Sequence, residues 1–318
     1  MEVRNLTVIK VAALGDIIMM LPSVRAYKRL YPKSIVTVCV GKSSAAFLSY
    51  YPEIDKVVLL DENRILKGSL TSRLLEFLRL WRLVGFQKNT DFFIGHSDPR
   101  YSLLLPFRRH KRFVPIRGKH HITEYIRHVI SQDYSFEICE AKQTVAVTDV
   151  ILAPGGAKNL MSDDFLRRWP LENYVTLARA LLFLGVEVSL IGSETDLWVL
   201  DSFKGLKVKS YIGNFKLEET LDVLSKSKLL ITHDSGPMHF GNLVGIPVIS
   251  IFGPTDGNEK LPLSNKLSFH YQGGTKLSCS PCYDGKRYAD CERAICMEEV
   301  TSEMVLNKAT EILRARES

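Results

Sequence analysis

The chain has 318 residues, 46% hydrophobic and 24% charged, a balance typical of soluble globular proteins and contrary to disorder. No run approaches the roughly 18 uninterrupted apolar residues of a membrane-spanning helix, and Lys10 and Asp16 interrupt the N-terminal stretch that imitates a signal peptide, so a cytoplasmic location is expected. The formal charge of +7 is lopsided: residues 1–148 hold 23 Lys and Arg against 13 Asp and Glu, leaving 19 against 22 for the rest.

In chain order, "LTVIKVAA" reads as a buried strand turning at Gly15-Asp16 into a helix from Ile17, and Pro22 breaks the apolar segment that follows. "SIVTVCVG" (34–41) and "DKVVLLDE" (55–62) read as further strands, with a short helix between them. Apolar strands separated by helices imply a parallel sheet. Residues 70–86 place Leu70, Leu74, Leu75, Leu78, Trp81 and Leu83 or Val84 at helical spacing, which we read as a packing helix rather than a membrane binder. The basic run at residues 107–121 suits a nucleic acid, an anionic membrane, a phosphorylated substrate or plain solvent.

From Val150 the pattern restarts. "VILAPGG" and "VEVSLIG" (186–192) read as strands, with a helix after Pro170 and another from about Thr195; the segment 217–227, then "LLITH" (229–233) and "VISIFG" (248–253), follow. The expected domains are therefore 1–147 and 148–318, each a Rossmann-like doubly wound α/β sheet holding its ligand at the carboxyl ends of the strands. A final helix over about 302–316 is long enough to pack back onto the N-terminal domain.

Candidate sites cluster at those strand ends. After "LLITH", Asp234, Ser235 and Gly236 open a helix whose free N–H groups make an anion site, with His239 one turn on and Gly236 admitting a close ligand. A capping role for Asp234 and Ser235 is the plain alternative. "APGGAKN" (153–159) offers a second glycine turn, neither GxGxxG nor a Walker loop, so nicotinamide and P-loop chemistry are unsupported. In "RRWP", Arg167 and Arg168 precede a helix and can reach phosphate oxygens. Glu194 and Asp196 suit ribose hydroxyls or an N-cap. The adjacent acids Asp163 and Asp164 have the wrong spacing for a DxD metal site, and Cys279, Cys282, Cys291 and Cys296 read as buried or redox-labile thiols rather than a zinc site.

Four blocks, "ALGDIIMMLPSVRAYKRLYP", "RRWP", "ITHDSGPMHFGNLVGIPVISIFGPTD" and "CSPCYDGKRYADCERAICMEEVTSEMV", together resemble the ADP-heptose:lipopolysaccharide heptosyltransferases of glycosyltransferase family 9, in order along the whole chain. The resemblance implies a GT-B fold, an N-terminal acceptor domain, a C-terminal donor domain, and inverting transfer of heptose from ADP-heptose to a lipid A-linked core without metal or other cofactor. Lipopolysaccharide synthesis would then run at the inner face of the inner membrane through peripheral contact, with no role for nucleic acid. Asp16 resembles the general base, facing the interdomain cleft beside Gly15. Arg108, Arg109, Lys111 and Arg112 suit the phosphorylated acceptor. Arg167 stands where the family usually has Lys, Gly156 and Ala157 where it often presents hydroxyls, Asp196 or Glu194 at the ribose, and Phe215 at the adenine. Another nucleotide sugar, or a binding protein without catalysis, are the competing readings.

Overall fold

The computed structural model describes residues 4–131, 148–158, 163–285 and 287–316, and the chain divides into two compact units, 1–136 and 137–318. The expected boundary at 147/148 lies eleven residues later, and the difference falls on residues outside those described.

The first unit is built on a five-stranded sheet. Its elements are β1 (Asn5–Lys10), α1 (Leu14–Leu30), β2 (Val36–Gly41), β3 (Lys56–Leu60), α2 (Glu62–Leu66), α3 (Leu70–Val84), β4 (Thr90–Ile94), β5 (Lys111–Arg112) and α4 (His121–Ile130). The strand order is β3-β2-β1-β4-β5, and every pairing is parallel. β2 is buried along its whole length, as an apolar strand covered on both faces must be. Because β1 lies between β2 and β4, the order in which successive strands are added reverses across the β1–β4 pair, and the crevice of a doubly wound sheet opens there.

Three expectations change. α1 begins at Leu14, with Ala13 as its N-cap at φ 69°, so Gly15 and Asp16 form its first turn instead of preceding it. Pro22 does not break the helix; it is buried inside it, and the Ser23 hydroxyl donates to the Met20 carbonyl at 2.6 Å. On α3 the buried residues are Glu76, Leu80 and Val84, so most of the leucine stripe expected to pack inward points to solvent.

The second unit holds β6 (Thr148–Ala153), α5 (Leu171–Phe183), β7 (Val188–Leu190), β8 (Lys209–Ser210), α6 (Leu217–Ser225), β9 (Ser227–His233), α7 (Gly236–Val244), β10 (Val248–Phe252), β11 (Phe269–Gln272), α8 (Ile295–Glu298) and α9 (Ser302–Ala315). Its six-stranded parallel sheet runs β11-β10-β9-β6-β7-β8, which puts the crevice between β6 and β9. The helix expected from Thr195 is a 3-10 stretch, Glu194–Phe203. The buried side of α9 (Val305, Ala309, Ile312 and Leu313) joins the core formed by Leu177, Leu181 and Ile231, so that face is occupied within its own unit.

Candidate functional site

In the first unit, the loops after β1 and β4 meet at the crevice. Lys10 ends β1 and is buried, and its ammonium donates to Asp16 Oδ2 at 2.8 Å. A buried lysine needs such a partner, so the Lys at the end of an apolar strand was a usable signal that went unread. The Asp16 side chain is 40% exposed, open enough to meet a ligand.

His96, also missed, follows β4. Its Nε2 accepts the Val11 N–H at 2.8 Å, its ring stacks on Tyr101 at 3.6 Å, and burial, then the Lys10 charge, holds it neutral. Of the basic candidates, Arg108 donates to the Gly85 and Gln87 carbonyls, Lys111 to the Ser131 hydroxyl and Arg112 to the Ser97 carbonyl. Arg108 and Arg112 are thus tied to backbone carbonyls and Lys111 to a side-chain hydroxyl, while Lys111 and Arg109 are exposed.

The second unit concentrates charge at the β6–β9 crevice. Asp234 Oδ2 accepts Thr255 Oγ1 at 2.7 Å, Lys260 Nζ at 3.1 Å and an Arg167 guanidinium nitrogen at 3.4 Å. Burial opposes ionisation of this carboxyl, but Lys260 and then Arg167 hold it far below the usual carboxylate range. Arg167 also bonds Asp164 at 2.9 Å, and among the described residues its Nε is buried without a hydrogen-bond partner. Lys260 lies in the loop after β10, 26 residues from Asp234, a separation at which no local sequence pattern could connect them.

Neither Asp234 nor Ser235 serves as an ordinary cap. The Ser235 hydroxyl lies 3.2 Å from that of Thr232 and makes no capping hydrogen bond at the start of α7, while the Asp234 carboxylate is taken up by Thr255, Lys260 and Arg167. Pro237 brings no N–H to the first turn and the Met238 N–H donates to the Ser235 carbonyl at 3.2 Å, so the Gly236 N–H, at the positive end of the helix, is the backbone donor placed at the crevice. A Cβ on Gly236 would meet only the Phe240 ring, at 3.7 Å, so the chain's own packing does not demand glycine there, whereas a ligand pressed to the backbone would. His239 is buried one turn further along α7.

Gly156 and Ala157 both have positive φ, at 86° and 56°. The Gly156 N–H donates to Asp196 Oδ1 at 2.8 Å, which removes it from the expected set of phosphate donors. Asp196 is buried and also accepts the Ser193 N–H and hydroxyl, both at 2.8 Å. It ties the loop after β7 to the loop after β6, so of the two ribose candidates only the exposed Glu194 keeps a carboxylate facing solvent. Phe215, half-buried, stacks on the buried Tyr211 at 4.5 Å, leaving an aromatic surface of the kind an adenine ring can join.

The loop carrying the cysteines reaches the same charges. Tyr283 donates its N–H to the Pro254 carbonyl and stacks on Tyr288, and burial raises the Tyr288 phenol despite the opposing Arg167 charge. The described cysteines are free thiols. Cys279 is exposed and Cys282, Cys291 and Cys296 half-buried, so of the two expected alternatives, buried or redox-labile thiols, the first does not hold; burial pushes the Cys296 thiol up to about 11. Among the described residues, no group of three or more His, Cys, Asp or Glu side chains is arranged to hold a metal ion.

The model of glycosyltransferase family 9 (heptosyltransferase) matches residues 112–291. Lipopolysaccharide heptosyltransferase 2 of Salmonella typhimurium is 24% identical over 299 residues, covering 79% of this chain and 83% of the relative. Among solved structures, the family 9 glycosyl transferase of Veillonella parvula superposes with a TM-score of 0.76 at 18% identity, over 99% of this chain and 98% of its own. The ADP-heptose lipopolysaccharide heptosyltransferase II of E. coli gives 0.73 at 17% identity, over 99% and 100%. The fold they share is a pair of Rossmann-like parallel α/β units, that of GT-B proteins.

Proposed function

This chain belongs to glycosyltransferase family 9, the heptosyltransferases of the lipopolysaccharide core, and from that premise we propose that it transfers heptose from ADP-heptose to a lipid A-linked inner-core acceptor with inversion, Asp16 serving as general base. The observation that carries the donor half is the charge cluster at the start of α7. A departing ADP develops negative charge on its diphosphate, and that charge must be met by fixed donors. The Gly236 N–H at the positive end of α7, Lys260 and Arg167 supply them, and the Arg167 Nε, without a partner among the described residues, is a donor that a phosphate oxygen would satisfy. The donors stand ready without a divalent ion. Glu194 takes the ribose and Phe215 borders the adenine.

On the acceptor side, Asp16 takes the proton from the attacking hydroxyl as its oxygen bonds to the anomeric carbon. The bond from that carbon to the diphosphate oxygen breaks with its electron pair leaving on ADP. Displacement from the face opposite the leaving group inverts the anomeric centre. Lys10 holds the Asp16 carboxylate in place for the hydroxyl. The net +10 of residues 1–148 suits a phosphorylated acceptor presented at the cytoplasmic face of the inner membrane.

The test is Asp16→Ala assayed with ADP-heptose and a defined core acceptor, with products read by mass spectrometry. Turnover should fall by about two decades or more while ADP binding is retained, the loss expected for a general base. Near-normal turnover would remove Asp16 from that role, and preference for UDP or GDP over ADP would exclude the heptose donor.

A further inference from the structure

The outward face of α3 is apolar where a helix covering a globular unit normally turns polar. Leu70, Leu74, Leu75, Leu78 and Leu83 are 50–83% exposed, and Phe86, just past the helix, is 69% exposed. The spacing 70, 74, 78 keeps three of these leucines on one line along the helix, with Leu75 beside them, so the residues form a band rather than scattered contacts. The band continues beyond the helix. Phe86 and Phe107 both stand edge-on to the Trp81 ring, at 5.6 and 5.8 Å, and Phe107 and Leu103 are 85% and 63% exposed. An exposed apolar patch of this extent marks an interaction surface.

Its charges narrow the partner. Arg79 and Arg82 lie exposed on the same face, and Arg109 follows Phe107 by two residues. The one acid of α3, Glu76, is buried and bonded to Arg79 at 2.7 Å, and Arg79 also donates to the Leu59 carbonyl at 3.0 Å, so no carboxylate of the helix faces outward and Arg82, with Arg109 beyond it, supplies the outward charge. Leucine, phenylalanine and arginine together on an otherwise unpartnered face are the composition of an interfacial helix. A second copy of this chain is the poorer fit, because a two-fold pairing of the band sets its arginines toward their own images.

We infer that the α3 band, extended by Phe86, Leu103 and Phe107, is the docking surface for an anionic bilayer, its leucines and phenylalanines entering the boundary between headgroups and acyl chains while Arg82 and Arg109 meet lipid phosphates. This assigns a surface to the membrane contact proposed above and rests on that reading, but its test needs no substrate. The full chain is sedimented with phosphatidylcholine vesicles with and without phosphatidylglycerol, free of lipopolysaccharide. Binding should require phosphatidylglycerol and weaken as salt shortens the Debye length.

Leu74→Glu/Leu78→Glu should lower vesicle binding about tenfold or more, while transfer to a soluble truncated acceptor stays within about twofold. Leu74→Ser/Leu78→Ser, which adds no charge, should lose binding in the same direction, and both variants should keep the parent melting temperature. Equal binding by parent and variants would overturn the inference. So would absence of binding to either vesicle, or a parent dimer that dissociates in the variants without any vesicle binding. Should vesicle binding follow the expected pattern with no transfer by any form, the docking surface stands and the heptosyl-transfer reading fails.

Discussion

Replacing Lys260 with Met removes one of the two cations on Asp234 while roughly keeping the volume of the side chain. The ammonium lies 3.1 Å from the carboxylate, and the two side chains are 14% and 3% exposed. At an effective dielectric of about 20, that separation corresponds to about 5 kcal/mol of attraction before desolvation. The net effect is smaller, because Lys260 itself gives up water to make the pair and Arg167 remains 3.4 Å away on the same oxygen. A stability loss of about 1–3 kcal/mol is expected.

The effect on ligand is separate. A charge-assisted hydrogen bond from Lys260 to the diphosphate contributes about 1.5–3 kcal/mol, so Lys260→Met should raise the Kd for ADP about 10- to 100-fold. Lys260→Arg should recover most of that loss. Titration calorimetry with ADP, run beside urea unfolding of the same preparations, reads both quantities. Lower stability with an ADP affinity within about twofold of the parent would refute the reasoning, since Lys260 would then merely neutralise Asp234.

Two further expectations test the same region. His233 is wholly buried, bonded to the Tyr174 hydroxyl at 3.1 Å, and pushed down to about 3 by burial and then by Arg167. The unfolded chain takes up this proton near pH 6.5, so stability should be full above that pH and fall as pH drops toward 3, by up to about 1.4 kcal/mol per unit. His233→Asn should flatten that slope in urea midpoints measured across the range, and an unchanged slope would contradict it. Gly155→Ala places a Cβ 2.5–2.6 Å from the Asp196 carboxyl group, which braces Gly156 and Ser193. It should cost about 2 kcal/mol in unfolding and weaken ADP binding, and parental values of both would show that the loop relaxes freely.

Much of the framework was legible because buried parallel strands write themselves as apolar runs. β1, β2, β6, β9 and β10 all lie where such runs stand, and Pro170 marked the start of α5. β4 escaped because Thr90 and Asp91 dilute its five residues, and β5 because Lys111 and Arg112 read as a charge cluster. For α3 the period was readable but the phase was not: leucines occupy both faces, and only packing against Ile9, Leu60 and Phe92 selects Leu80 and Val84 as the inner ones. At the candidate donor site, Asp234, Ser235 and Gly236 were readable as a helix start after a strand. Lys260 was not, since only the parallel pairing of β9 with β10 brings its loop alongside. Asp196 was readable as a carboxylate at a strand end, but nothing in the sequence separates a brace from a ribose ligand; its hydrogen bond from Gly156 in the neighbouring loop and two from Ser193 in its own do.

The two crevices use one motif, a carboxylate held by a basic side chain, to opposite ends, and the difference supports giving the base to Asp16. Asp234 is enclosed, accepts three hydrogen bonds on one oxygen and is held far into its ionised form, which leaves it too weak and too inaccessible to take a proton from an alcohol. His96 stands near Asp16 but is no better: its Nε2 lone pair already accepts the Val11 N–H, and burial keeps the ring neutral. Asp16 has a 40% exposed side chain and Lys10 at 2.8 Å, a geometry that fixes the direction of the carboxylate without closing it off. A general base needs access to the hydroxyl before it needs a tuned affinity for the proton. By that criterion the enclosed carboxylate of the second unit is suited to holding cations against a diphosphate, and the open one of the first unit to receiving the proton.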